Sequence, residues 1–368
     1  MGYSNARGGE QAILAAERLV RDERRAGASP FLRLDQITER MRLAVDRVMG
    51  EGGLWAPELA ARAIRQAEGD VLEAAQLLRA HRSTLPRLAY SEPVAAGELV
   101  VLRRISSAFR NPPGRQLLGR TLDYVGRLLD LMPDDQAQAA EPAPGPEPGH
   151  HHEHRHEHGH EPAEVRRPQR LLHLLREMDM VVERRGGGDP EPYDITRAPA
   201  RPGAPRSARL TAMARAETGA LVNLWYANTF QPNKHNHEIP GEVRHGRLPV
   251  RVRHPLTGDP VTVGEVRVTE VETIDDLDRP GEDRTRLDVG YGLCFGHNER
   301  KAIAMAGLDL LAHRDGGRTD VEQRVLITLD GMEASGFLEH LKLPHYVDFR
   351  SILDRKRAVR ASAQGGDR

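Results

Sequence analysis

The sequence predicts an α+β protein: a mainly helical N-terminal region, then a disordered His/Pro-rich linker, then a mixed domain with an antiparallel sheet. Three observations carry this. Apolar residues recur at helical spacing before Met132, alternation marks Leu248 to Val252 and Val261 to Val271, and the intervening linker is nearly empty of apolar side chains. The expected boundaries are residues 1–132, 133–168 and 169–355, with a flexible tail over 356–368. A chain of 368 residues can bury a substantial core in two domains.

In the first region Ile13, Ala16, Leu19 and Val20 form one apolar stripe, and Met41, Val45, Val48 and Met49 another. Three or four helices are expected to pack there as one layer. Ser83 to Leu102 reads as a loop with a short strand, and Leu117 to Leu131 as a further helix. From Pro133 to Pro168 the chain is rich in Pro, Glu, Ala and His, so burial cannot offset the entropy of ordering. Beyond it, Leu171 to Val182 and Arg209 to Trp225 read as helices around a Gly/Pro-rich loop, Arg185 to Pro205. The two alternating runs follow, and then a strand over Arg286 to Phe295 that enters a glycine turn. Asn298 caps the next helix, which carries Ala302, Met305, Ala306 and Leu310 on one face. Last comes a short helix with Phe337, Leu338 and Leu341, ending near Lys342 because Pro344 forbids its continuation.

Composition excludes several functions. A formal net charge of −1 argues against a nucleic-acid binder, and any anion site must be local. Lysine occurs only at positions 234, 301, 342 and 356, so the many arginines reflect a general bias and their clusters carry less weight. A single cysteine, Cys294, excludes an internal disulfide, a cysteine zinc finger and a self-contained iron-sulfur cluster, and fits a reducing cytoplasm. No stretch approaches the roughly twenty apolar residues that span a bilayer, so a soluble protein with no membrane partner is expected.

Four segments could carry chemistry. His340 and His345 flank Pro344; they could supply half of a zinc or similar metal site, or serve as a helix cap and a surface imidazole. Arg197, Arg206 and Arg209 stand on a Pro-stiffened loop entering a helix, either a polyphosphate cradle or a solvated loop. Asn236, His237 and Glu242 surround a Pro-Gly turn suited to metal, ribose or acid-base work, or simply to turning the chain. His297, Glu299 and Arg300 lie at a helix N-terminus where an anion could sit. The linker run His150 to His160 could chelate metal, or be a spacer with incidental affinity.

The blocks RGGEQAI (from Arg7), LAVDRVMGEGG (Leu43), LLRAHRSTL (Leu77), SEP (Ser91), RRIS (Arg103), QLLG (Gln116) and DYVGRLLD (Asp123) come first. DITR (Asp194), YGLCFG (Tyr291), ERKAIAMA (Glu299) and HLKLPHYVDF (His340) follow. In this order they resemble the PhnI family, a subunit of the bacterial carbon-phosphorus lyase core complex. The resemblance implies phosphonate catabolism by a transferase subunit that, with partners, displaces adenine from MgATP by an alkylphosphonate to give α-D-ribose 1-methylphosphonate 5-triphosphate. It implies a nucleosidase activity for the subunit alone. It implies PhnG, PhnH, PhnJ and PhnL as partners, with PhnK a further one, Mg²⁺ with ATP, and Zn²⁺ or a similar metal at His340 and His345. Displacement at an anomeric carbon passes through an oxocarbenium-like state, for which Glu242 is the candidate carboxylate and Arg197, Arg209 and Arg300 the candidate triphosphate ligands. NHEIPGE departs from the family's NHPFxGE, and Cys294 stands where the family can carry Val, which favours packing. The alternative reading is a non-catalytic scaffold that presents the two histidines to PhnJ.

Overall fold

The computed structural model describes residues 9–133, 136, 168–183, 191–229, 238–277, 281–314, 320–326, 338, 341–342 and 345–365. The first helices are α1 (Gly9–Ala26), α2 (Leu34–Arg40), α3 (Arg42–Gly52), α4 (Pro57–Gln66) and α5 (Val71–Ser83). Helices α2 to α5 enclose a core of Ile37, Val45, Val48, Met49, Ala60, Ile64 and Leu78. Asp70 caps α5 by accepting from the backbone N–H groups of Leu72 and Glu73. The stripe expected on α1 is not buried: no residue of α1 is, and Leu19 is 61% exposed.

The sheet is antiparallel, in the order β1 (Val100–Ile105), β2 (Ile239–Arg253), β3 (Pro260–Asp276) and β4 (Leu287–Phe295). Both central strands extend well beyond the alternating runs. Because β1 pairs with β2, the sequences on either side of the His-rich linker share one sheet. Helix α6 (Leu171–Glu177) packs on one face through Leu171, Leu172 and Leu175, against Ile274, Leu287 and Val289. Helices α7 (Arg206–Arg215), α8 (Thr218–Thr229) and α9 (Glu299–Arg314) build the core on the other, with Val243, Val271 and Cys294 beneath Ala302, Met305 and Ala306. Asn298 caps α9 as expected, its Oδ1 accepting from Lys301 N at 3.2 Å. Helix α10 (Tyr346–Gly365) runs through most of the tail expected to be flexible and is exposed over nearly all its length.

Two expected helices differ. Residues 117–131 form no helix: Leu117 exchanges backbone hydrogen bonds with Arg104 at 2.8 Å, which ties this segment to β1 as an edge. Arg103 then takes Leu118 O at 2.5 Å and the Asp123 carboxylate, so side-chain hydrogen bonding outcompetes helical periodicity. The single helix expected over Arg209 to Trp225 is two, α7 and α8, because Glu217 folds back to cap α8, accepting from Gly219 N at 2.7 Å and Ala220 N at 2.6 Å. The carbonyls released at the break are taken by buried cations, Ala216 O by Lys301 Nζ at 2.7 Å and Arg215 O by Arg79 at 2.8 Å.

Candidate functional site

One face of the sheet is charged. Arg104, Arg244 and Glu270 are register neighbours along one row, and Glu242, Glu272 and Tyr291 along the next. Facing residues on antiparallel strands project to the same side, so these six share the face covered by α6. Arg104 and Glu242 are both fully buried and paired through Nε and Oε1. The remaining Arg104 donors hold Pro113 O at 2.6 Å, Arg115 O at 2.7 Å and Gln169 O at 3.2 Å. Glu242 Oε2 accepts the backbone N–H of Leu171 at 3.0 Å, which caps α6. Arg244 pairs with Glu270, and Arg170 with both Glu270 and Glu272. Tyr291 donates its hydroxyl to Glu270 at 2.9 Å; burial first, and the neighbouring carboxylate second, push its pKa well above the usual phenol range.

Beside this lattice lies a cavity of about 270 Å³, lined among others by Arg170, Arg176, Glu183, Arg206, Glu272 and Tyr291. Helix α6 supplies Arg170 and Arg176 at its two ends, and α7 supplies Arg206 at its first position. Arg206 is fixed by Asp309, with Nε at 3.0 and 3.1 Å from the two carboxylate oxygens. Two buried polar atoms of the wall have no hydrogen-bond partner, Glu272 Oε2 and Arg170 Nε. Unmatched buried donors and acceptors of this kind are costly and uncommon, and both atoms are sealed from solvent and from the cavity itself.

A second polar cluster forms on the turn after β4. His297 and His245 stack with centroids 4.4 Å apart, and Arg42 Nη1 lies 3.2 Å from His297 Nδ1. An arginine can only donate, so Nδ1 of His297 accepts and its hydrogen sits on Nε2, 3.6 Å from Glu299. Burial opposes charge on Glu299, but His297 and Arg103 overcome it and lower the carboxyl to about 2. His245 is driven down to about 3, chiefly by burial and then by His297, Arg267 and Arg42.

The residues singled out from sequence fall at different places. Glu242 is buried in the lattice with both oxygens engaged. Arg209, also buried, pairs with Glu322 at 3.2 Å and stands one turn beyond the cavity residue Arg206. Arg197 is exposed beside Asp194 at 3.7 Å, its guanidinium 5.5 Å from the Tyr90 ring centre. Arg300 is exposed on the first turn of α9. His345 is exposed just before α10; His340, Asn236, His237 and His150 to His160 lie outside the described residues. Among the described residues no group of three or more His, Cys, Asp or Glu could hold a metal. Cys294 is buried and its thiol raised to about 11 by burial, which fits the packing role read from the sequence. Sequence reasoning missed Arg104, Arg170, Glu270 and Glu272. The signal available was TEVET, which sets Glu270 and Glu272 two apart on a strand.

The family of bacterial phosphonate metabolism proteins designated PhnI matches residues 2–363, and the chain belongs to it. A relative from Rhizobium meliloti strain 1021, named alpha-D-ribose 1-methylphosphonate 5-triphosphate synthase subunit PhnI, is 38% identical over 382 residues, covering 99% of this chain and 97% of its own. The protein of the same name from Escherichia coli K12 is 40% identical over 363 residues, covering 96% of each chain. No helix among the described residues is long and apolar enough to cross a membrane.

Proposed function

We propose that this chain is the subunit at which adenine is displaced from MgATP by an alkylphosphonate, giving α-D-ribose 1-methylphosphonate 5-triphosphate in the assembled complex with PhnG, PhnH, PhnJ and PhnL, PhnK joining as a further subunit. Without partners, water takes the place of the phosphonate. The observation that carries the reading is the near end-to-end similarity to two proteins named as subunits of that synthase. The cavity suits it chemically. Arg170, Arg176 and Arg206 bring three cations to it. Each is already paired with a carboxylate, Arg170 with Glu270 and Glu272, Arg176 with Glu183 at 2.6 Å and Arg206 with Asp309, so that only their remaining N–H groups are left for phosphonate or phosphate oxygens. Arg197 and Arg300 are exposed and open to a triphosphate, whereas Arg209 shapes the start of α7 through Glu322.

Glu242 acts here as a positioning residue. Its oxygens hold Arg104 and the first N–H of α6, and thereby set Arg170 and Arg176 against the cavity. The metal expectation at His340 and His345 joins the proposal as an imidazole pair for Zn²⁺. Its check is metal content by mass spectrometry in the complex, which His345→Ala should lower.

The test is adenine release from MgATP by the chain alone and with its partners and methylphosphonate, with the sugar product identified by ³¹P NMR. Ribose 5-triphosphate from the chain alone, diverted to the methylphosphonate ester by the partners, is the expected result. Folded protein that releases no adenine in either case would leave the scaffold reading. Glu242→Gln should lower the unfolding midpoint by the equivalent of about 3–5 kcal/mol, because Arg104 would be left buried and unpaired. If its stability and adenine release both match wild type, the positioning role is wrong.

A further inference from the structure

A group of arginines that does not line the cavity gathers where the end of α5 meets the turn before α7. Arg82 stands on the last turn of α5, Arg87 follows in the next loop, and Arg197 comes from the turn. Among the described residues these three share one carboxylate, Asp194. It binds Arg87 at 2.7 Å, lies 3.7 Å from Arg197, and acts on Arg82 from farther away. Hydrogen bonds from Thr196, and then Arg87, hold its carboxyl at about 2, so it stays ionised with its oxygens engaged. Three cations against one anion leave a surplus of two positive charges, in a chain whose formal net charge is −1.

Two features set this group apart from arginines merely solvated at a surface. Arg87 is fixed in advance, donating to Asp194, to Thr196 Oγ1 at 2.7 Å and to the Tyr90 hydroxyl at 2.8 Å. The Tyr90 ring also gathers both guanidiniums, Arg87 at 5.0 Å and Arg197 at 5.5 Å from its centre. Arg82 is the reverse case: half-buried, still open to solvent, and paired with no carboxylate among the described residues. Burial, and then Arg87, push its pKa down against the weaker pull of Asp194. Beneath it lies bare backbone, because a Cβ on the left-handed Gly53 would stand 3.2 Å from Arg82 Nη1 and 3.0 Å from Arg215 Nε. A cation withdrawn from water without a counter-ion is costly, and an anion seated there removes the cost. A carboxylate carries one negative charge, whereas a phosphoryl group carries the two that match the surplus and offers oxygens to planar forks. We propose that Arg82, Arg87 and Arg197 form a site for a phosphoryl dianion, with Arg82 and Arg197 as direct ligands and Tyr90 as a positioning residue. The dianion has two sources: the terminal phosphate of a 5′-triphosphate, which rests on the synthase reading, and inorganic phosphate.

Isothermal titration of the full chain with inorganic tripolyphosphate in the presence of Mg²⁺, and separately with orthophosphate, tests this without a nucleoside to be cleaved. Wild type should bind, and Arg82→Gln should weaken binding about tenfold or more, the loss typical of one charge-assisted hydrogen bond. Arg82→Lys should recover part of it, since the charge returns without the fork. The unfolding midpoint of Arg82→Gln in phosphate-free buffer should match or exceed that of wild type, a readout that a merely structural arginine would move the other way. Arg197→Gln, at a side chain 68% exposed, reads the same binding ratio independently of how Arg82 packs. Failure of wild type to bind either anion would overturn the proposal, as would undiminished binding in both glutamine variants. Adenine release then separates the sources. A KM for MgATP raised in Arg82→Gln by the same factor as the tripolyphosphate affinity falls, at unchanged kcat, identifies the triphosphate. An unchanged KM with weakened orthophosphate binding identifies inorganic phosphate. Wild type that releases no adenine sinks the synthase reading and leaves the titrations to judge the site by themselves.

Discussion

His245 shows how a single side chain makes stability depend on pH. It sits at 5% exposure in β2, stacked on His297, with Arg42 and Arg267 near and Asp46 and Glu299 beyond them. Thr269 Oγ1 donates to Gly296 O at 2.7 Å, so toward His245 it accepts, and His245 Nδ1 at 3.2 Å carries the hydrogen. The fold therefore stabilises neutral imidazole and opposes a second charge among cations. With a folded value of about 3 against 6.5 unfolded, the unfolded chain binds the extra proton between those limits. The contribution is fully present above pH 6.5 and is lost as pH falls toward 3. Glu299, lowered from 4.5 to about 2, keeps its contribution above pH 4.5 and loses it only below. At pH 5 the unfolding midpoint should lie below that at pH 7.5, and His245→Gln should shrink the gap. An unchanged gap in that variant, by thermal denaturation, would assign the pH dependence to other groups.

At the scale of elements, α9 lies on β4 more closely than side chains normally permit. A Cβ at Gly290 would stand 2.1 Å from Ala306 O, and one at Gly292 would stand 2.2 Å from Ala302 O, both helix backbone atoms that cannot rotate away. Gly290→Ala or Gly292→Ala should therefore cost about 1–3 kcal/mol or more by lifting the helix, and carry Asp309 away from Arg206 and the cavity. Gly264→Ala, with nothing within 4 Å of its Cβ, is the control and should unfold like wild type. These elements were largely legible in the sequence, since β4 alternates and Asn298 announces the start of α9. The charged face of the sheet was not. In β3 Glu270 and Glu272 alternate with apolar Val271, a pattern that ordinarily marks a solvent-facing side. Only the arginines brought from β1, β2 and the approach to α6 turn that side into a buried lattice, and such long-range pairing leaves no local periodicity. The segment after Gln116 failed for the same reason, its apolar spacing overridden by contacts to Arg103 and Arg104.

Across the whole molecule, the linker joins regions that are already joined elsewhere. Strand β1, before it, pairs with β2, after it, and Arg104 binds carbonyls on both sides, at Pro113, Arg115 and Gln169. Helix α3 also reaches across: Asp46 accepts from Arg267 at 3.1 Å and from His297 N at 3.0 Å, and Glu51 from Thr218 N at 2.9 Å. The native arrangement of the two regions is thus fixed by buried contacts, and the linker only has to reach from one edge to the other. Loop-closure entropy changes slowly with length, so shortening such a connection has little effect on stability while the span can still be covered. Deleting residues 146–161, which removes HHHEHRHEHGH, should leave the unfolding midpoint within about 1 °C, since each kcal/mol shifts it by about 2–4 °C in chains of 150–250 residues. Phosphonate-dependent adenine release by the assembled complex should likewise persist in buffer that contains Mg²⁺ and no added transition metal. Loss of turnover with an intact midpoint, restored by added Zn²⁺ or Ni²⁺, would instead show that the imidazoles of this run deliver metal to the complex.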